Sequence, residues 1–291
     1  MSKTARTNVI LCILTVIVGI FAIFFAFRSD KLIKNGIKQG IGTPTIYVHG
    51  LNGSLKSTNH LVTVASRDGG TKALIVYVAK NGDLSYEGHL DKHMKNPLIQ
   101  VNFKDNDAPV SQQVDWLHKI LINLKQKYHY ENYNAVGHSA GCVSILQTTA
   151  LYGHDSDMPQ LQKFVSIAGP YNGVIGINDR PHSNLIVNSY GKPQYENLSN
   201  KWYPAYSELL KECKNFPKGV QILNIYGNYG KMPNSDGYVS IPSARSLQYL
   251  VHNKAQGYQG IQINGNNAQH SRLHSNPVVD RLTSRFLFDN N

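Results

Sequence analysis

Acidic residues are scarce in this 291-residue chain: 18 Asp and Glu stand against 29 Lys and Arg, and all charged residues together make up 16%. Beside 41% hydrophobic residues, that poverty of charge excludes a disordered chain. Cysteine is rarer still. Cys12, Cys142 and Cys213 are an odd set without framework spacing, so they give no disulfide argument, and no C-x-x-C pair suggests a metal. There is no internal repeat. No aromatic-basic repeat and no Cys/His finger mark a nucleic-acid module, so no nucleic-acid partner is expected.

Long hydrophobic runs are absent with one exception, the uncharged stretch of residues 9–27. A helix over those residues is about 28 Å long, close to the hydrocarbon thickness of a bilayer. Lys3 and Arg6 precede it, and the run ends Phe25-Ala26-Phe27-Arg28 without a small-x-small cleavage site. Residues 1–28 therefore read as an uncleaved signal anchor, one membrane helix, rather than a removed signal peptide. Basic residues flank both ends, so the positive-inside rule does not choose an orientation. A short tail before a large domain favours a single-pass protein in the cell membrane with the domain outside. The flanks carry Lys3, Arg6, Arg28, Lys31, Lys34 and Lys38 against Asp30, which takes up +5 of the net +11. The remaining excess suits an anionic membrane or cell-wall surface, or serves solubility alone.

After a linker at residues 29–42, residues 43–291 carry alternating strand and helix signals. Strand-like runs are Thr43–His49, Ala73–Ala79, Leu98–Phe103, Asn132–Val136, Leu161–Ala168, Val220–Tyr226 and Tyr258–Ile263, and Asn81-Gly82-Asp83 turns Leu84–His89 back as a hairpin. Pro109 opens an amphipathic helix with Val110, Val114, Leu117, Leu121, Leu124 and Tyr128 on one face. His118 and His129 of that segment read as solvated. A last helix starts at Asn276 and Pro277, with Val279, Leu282 and Phe286 as its face. The pattern implies an α/β domain with a mostly parallel sheet and helices on both faces. Residues 170–200, rich in Asn, Gly, Ser and Pro, read as a loop or small cap near the site.

The chemistry is carried by Gly137-His138-Ser139-Ala140-Gly141. It lies between a strand and the small, apolar helix from Cys142 to Leu151, as a nucleophile elbow requires. Side chains at Gly137 and Gly141 would collide with the neighbouring strand and helix. A serine hydroxyl needs a histidine base and an orienting carboxylate. Here the scarcity of acid becomes useful, because Asp236 is the one carboxylate between Glu212 and Asp280 and follows a late strand. The base lies in Gln269-His270-Ser271-Arg272-Leu273-His274. His270 is favoured because it stands several residues before the terminal helix; His274 remains the alternative. Oxyanion donors would be the N–H of Ala140, at the positive end of its helix, and that of Leu51 in His49-Gly50-Leu51, with Asn52 next.

Four segments, residues 47–53, 136–142, 235–239 and 270–274, resemble the α/β-hydrolase superfamily in its lipase-like branch. Within it the chain is most similar to Gram-positive cell-surface or membrane-bound α/β-hydrolases of unknown function. The resemblance implies the α/β-hydrolase fold, a Ser139–Asp236–His270 triad and no cofactor. Ala140 stands where lipases usually carry Met or Gln, which leaves the backbone donor intact. The expected activity is cleavage of a carboxylic ester or thioester, on a small or lipid-like acyl substrate, through an acyl-serine. Acyl transfer by the same triad, or a non-catalytic cell-envelope binding protein, are the alternatives.

Overall fold

The computed structural model describes residues 42–91, 93–179, 187–232 and 234–289. The signal anchor at 1–28 and nearly all of the linker lie outside them. Among the described residues no helix is long and apolar enough to cross a membrane.

The strands are Thr45–Val48 (β1), Thr71–Val78 (β2), Leu84–Gly88 (β3), Pro97–Phe103 (β4), Asn132–His138 (β5), Gln160–Ile167 (β6), Gln221–Asn228 (β7) and Gly257–Asn264 (β8). They form one sheet in the order β3-β2-β4-β1-β5-β6-β7-β8. Only the β2–β3 hairpin is antiparallel; β1 lies between β4 and β5 in parallel register, Thr45 opposite Leu98 and Asn134. The helices are Leu55–Arg67 (α1), Val110–Tyr128 (α2), Ala140–Tyr152 (α3), Tyr206–Glu212 (α4), Ile241–Arg245 (α5), Leu247–Leu250 (α6) and Pro277–Phe288 (α7).

The two-residue period of the strands divides the core into two layers. Ile46, Val48, Ile99, Val101, Ala135 and Phe164 face α2, α3 and α4, where Leu117, Leu121, Leu146 and Leu209 meet them. Their neighbours Tyr47, Leu98, Val136, Val165 and Ile167 face α1 and α7, against Leu61, Val62, Val279 and Leu287. Every residue of β1 and β4 is buried, as in strands covered on both faces, and the polar Gln100 of β4 is satisfied by Thr58 and Asn59 of α1 at 2.9 Å.

Three local expectations change. Helix α1 has no counterpart in the sequence reading, although Thr58, Leu61, Val62 and Ala65 are its buried face and Ser54 caps it through the Lys56 N–H. Helix α7 is turned from its expected face. Val279, Thr283 and Leu287 are buried together with Asp280 and Ser284, while Leu282 and Phe286 are half-buried. The turn brings Asp280 to His60 on α1, at 2.8 Å. His118 is not solvated: its ring stacks on Tyr152 at 3.8 Å and bonds Asp155 at 3.0 Å. His129 is exposed and closes α2 in the left-handed conformation, φ 58°.

The described parts of 170–200 hold no regular strand or helix. Asparagine side chains stitch them together. The Asn172 amide donates to the Tyr195 carbonyl at 2.7 Å, that of Asn178 to the Leu198 carbonyl at 3.0 Å. The Ile175 N–H donates to the Tyr238 carbonyl at 2.9 Å, which joins this segment to the loop after β7.

Candidate active site

All the candidate residues sit at the carboxyl ends of the parallel strands, where loops of an open α/β sheet gather. Ser139 joins β5 to α3 with φ 53° and ψ −125°. A non-glycine residue there carries about 1–3 kcal/mol of strain, sustained only by surrounding bonds. Those bonds are present: the Ser139 N–H donates to the Ile167 carbonyl and the Ser139 carbonyl accepts from Cys142, both at 2.9 Å. The two elbow glycines are required by space. A Cβ on Gly141 would lie 2.6 Å from the carbonyl oxygens of Val48 and His49, and one on Gly137 would lie 2.8 Å from the Cys142 backbone. Gly141 thus meets a strand end and Gly137 the following helix.

Asp236 is 1% exposed, not part of a surface Asp-Gly turn. Its Oδ1 accepts from the Tyr238 and Val239 N–H groups at 2.9 and 2.7 Å, and its Oδ2 meets His270 Nδ1 at 2.8 Å. An ionised carboxylate only accepts, so Nδ1 carries the hydrogen and Nε2 is left as the bare, proton-accepting nitrogen. The His270 N–H donates to the Asp236 carbonyl at 2.9 Å, so acid and histidine are joined through backbone and side chain alike.

His274 differs from His270. Its Nδ1 is buried without a hydrogen-bond partner, it touches no carboxylate among the described residues, and burial lowers its pKa first, with His270 and His60 adding to the shift. Of the two histidines, the structure brings His270 to Asp236.

The loop after β1 is fixed by His49, which is fully buried. Its Nε2 accepts from the Phe103 N–H at 3.1 Å, so Nδ1 carries the hydrogen and donates to the Gly50 carbonyl at 2.8 Å. Burial lowers the His49 pKa and keeps the ring neutral. Gly50 lies against Ser139: a Cβ there would be 2.7 Å from Ser139 Cβ and 3.3 Å from its Oγ. The Asn52 N–H is taken by the Asn106 carbonyl at 2.7 Å. Among the described residues the N–H groups of Leu51 and Ala140 donate to nothing, which leaves this pair, and not Asn52, available to a ligand oxygen.

Three residues near the site were not assigned from sequence. Tyr203 is 5% exposed; burial pushes its phenol up while the Ser139 hydroxyl beside it pulls the other way. A phenol so placed stays protonated. The exposed Tyr238 ring stands 5.3 Å from the His270 ring. His138, inside the elbow motif itself, lies between the rings of His270 and His274 at 4.9 and 4.8 Å. No spacing rule points to Tyr203 or Tyr238; His138 stood in view but had no role in a motif defined by its serine and glycines. Among the described residues no group of His, Cys, Asp and Glu is placed to hold a metal ion.

The fold recurs in solved structures. The lin2722 gene product of Listeria innocua is 25% identical over 86% of this chain and 95% of its own, with a TM-score of 0.77. A Lactobacillus plantarum protein, assigned provisionally as a cell surface hydrolase, is 20% identical over 86% of this chain and 93% of its own, with a TM-score of 0.66. No curated protein matches the sequence. Matched over residues 33–290, the chain belongs to the family described as alpha/beta hydrolase of unknown function (DUF915).

Proposed function

We propose that this hydrolase cleaves carboxylic esters or thioesters through an acyl-serine intermediate. Ser139 Oγ attacks the carbonyl carbon and His270 Nε2 takes its proton. Asp236 holds the ring in the required tautomer and stabilises the imidazolium, and the N–H groups of Leu51 and Ala140 receive the oxyanion. His270 then returns the proton to the leaving alcohol or thiol. Water, deprotonated by the same nitrogen, releases the acid. The observation that carries this reading is the buried Asp236–His270 pair on Nδ1, next to His138 of a strained serine elbow. A side chain held on its Nδ1 presents Nε2 at the far end of the ring, where an incoming hydroxyl can reach it.

The uncharged run at residues 9–27 supports an anchor that keeps the hydrolase domain, residues 43–291, at the outer face of the cell membrane. Exposure of the domain to protease on intact cells tests that placement.

Replacing Ser139 with Ala tests the chemistry. Fluorophosphonate labelling should vanish and p-nitrophenyl ester turnover should fall by roughly 10⁴–10⁶-fold, with an unchanged circular dichroism spectrum. Turnover at the wild-type level in the Ser139→Ala protein would sink the reading.

A further inference from the structure

His138 is the one side chain of the elbow that the proposed reaction leaves without a part. It ends β5, is 6% exposed, and places Nε2 at 3.1 Å from the carbonyl oxygen of His270. A carbonyl oxygen only accepts, so His138 Nε2 carries a hydrogen and donates it. His270 is thereby held at three points. Its N–H and its Nδ1–H both go to Asp236, at 2.9 and 2.8 Å. Those two bonds fix the histidine to the acid loop. Of the three, only the bond from His138 reaches the elbow, and it does so one residue from the nucleophile.

We infer that His138 is a positioning residue that ties the backbone of His270 to the turn carrying Ser139 and so sets the distance between nucleophile and base. The inference rests on the Ser139–His270 assignment above.

The acid loop and the elbow belong to different strands, β7 and β5, with β6 between them. Without a direct tie, their separation depends on the sum of many loop contacts. Proton transfer tolerates little error, since a displacement of about 1 Å at such a site costs on the order of 100-fold in rate. A hydrogen bond fixed at one end to the residue next to the serine removes that freedom.

The chemistry also needs a neutral donor. His270 becomes an imidazolium when it takes the serine proton, with the His138 ring 4.9 Å away. A cationic neighbour would oppose that step. Burial, then the imidazoles of His270, His274 and His49, hold the His138 pKa well below the ordinary histidine value. Histidine in this environment donates like an amide and carries no charge. His274 closes the far side edge-on, rings 4.8 Å apart at 85°.

The test compares His138→Leu with His138→Gln in the full-length protein, using p-nitrophenyl butyrate turnover, the rate of fluorophosphonate labelling and the melting temperature. Gln carries an N–H at about the position of His Nε2 and keeps the donor; Leu does not. His138→Leu should lower kcat and the labelling rate by roughly 10–100-fold with KM changed less than about threefold. His138→Gln should recover most of that loss although both variants melt at similar temperatures. Equal losses in the two folded variants, or wild-type labelling in His138→Leu, overturn the inference. Should neither variant fold, ¹⁵N imidazole spectra of the wild-type protein decide it. His138 must remain a neutral Nε2–H tautomer below about pH 6, half a unit under the ordinary histidine value; titration near that value or an Nδ1–H tautomer overturns the role. The two failures are separable. If wild-type and Ser139→Ala proteins label alike, the triad itself is wrong. If only Ser139→Ala loses labelling while His138→Leu keeps it, the triad stands and His138 is packing.

Discussion

His270 and His60 each meet an aspartate at 2.8 Å, Asp236 and Asp280 respectively. The ring atoms differ. His270 uses Nδ1, which leaves Nε2 free at the tip of the side chain, whereas His60 spends Nε2 and keeps only the nitrogen beside its own main chain. The surroundings differ as well. The side chains of the first pair are 10% and 1% exposed; His60 is 44% exposed, against 7% for Asp280. Both oxygens of Asp236 are satisfied by backbone N–H groups and the ring, while Asp280 Oδ1 is buried without a partner. Two contacts of one length and one residue pair thus have opposite characters. One is a carboxylate with both oxygens bonded that holds the His270 ring by Nδ1. The other is a polar tie between helices α1 and α7, with the His60 side chain half open to solvent, where such a contact contributes little. A third pair, His118–Asp155, also runs through Nε2, at 3.0 Å, and is likewise partly exposed.

The comparison breaks first if the wrong aspartate matters. Asp236→Asn should cut kcat on p-nitrophenyl esters by roughly 10⁴-fold through the wrong tautomer, while Asp280→Asn should leave kcat within about twofold, a change of under 1 kcal/mol in barrier. Steady-state kinetics on the two variants side by side checks this; equal losses would erase the distinction. Gly50→Ala is next. Its methyl would sit 2.7 Å from Ser139 Cβ, and the displaced serine should lose on the order of 100-fold in acylation rate, read by labelling kinetics.

Smaller effects concern stability. Asp280→Asn should lower the unfolding free energy by about 1 kcal/mol or less, in urea titration, because its partner is partly in water. The pH dependence comes from the other side of the comparison. His138 is held neutral in the folded protein, chiefly by burial, whereas the unfolded chain takes up a proton there below about pH 6.5. Stability is therefore full above that value and falls as pH drops, by at most about 1.4 kcal/mol per pH unit for this group. His138→Gln should flatten the slope between about pH 5 and 6.5 by up to that amount. A slope identical to the wild type would place the titration elsewhere.

Much of the fold was legible because its signals are local. Strands β1, β2, β4 and β6 each carry a cluster of apolar residues, the Asn81–Asp83 turn marks the hairpin, and Asn276 with Pro277 marks the start of α7. Helix α1 escaped notice although Thr58, Leu61, Val62 and Ala65 follow a helical period, since polar residues dilute a short stripe. The face of α7 was misjudged for a different reason. Buried Asp280 and Thr283 replace apolar residues on the core side, and a polar residue turned inward leaves no hydrophobic pattern to read. The candidate site divides the same way. Ser139 and Asp236 stood out by motif and by scarcity; Tyr203 and Tyr238 reach the site from loops with no periodicity.

By itself the sequence determined the family, the sheet with its alternating layers, and the short set of groups able to do the chemistry, because apolar period and residue type are properties of the chain alone. Only the tertiary structure brought His270 and not His274 to Asp236, left Leu51 and not Asn52 with a free N–H, and placed His138 against the His270 backbone. Those outcomes depend on which ring nitrogen faces a carboxylate and which N–H is already occupied. Both are fixed by loops from β1, β5, β7 and β8 meeting in space, at separations along the chain that no local pattern encodes.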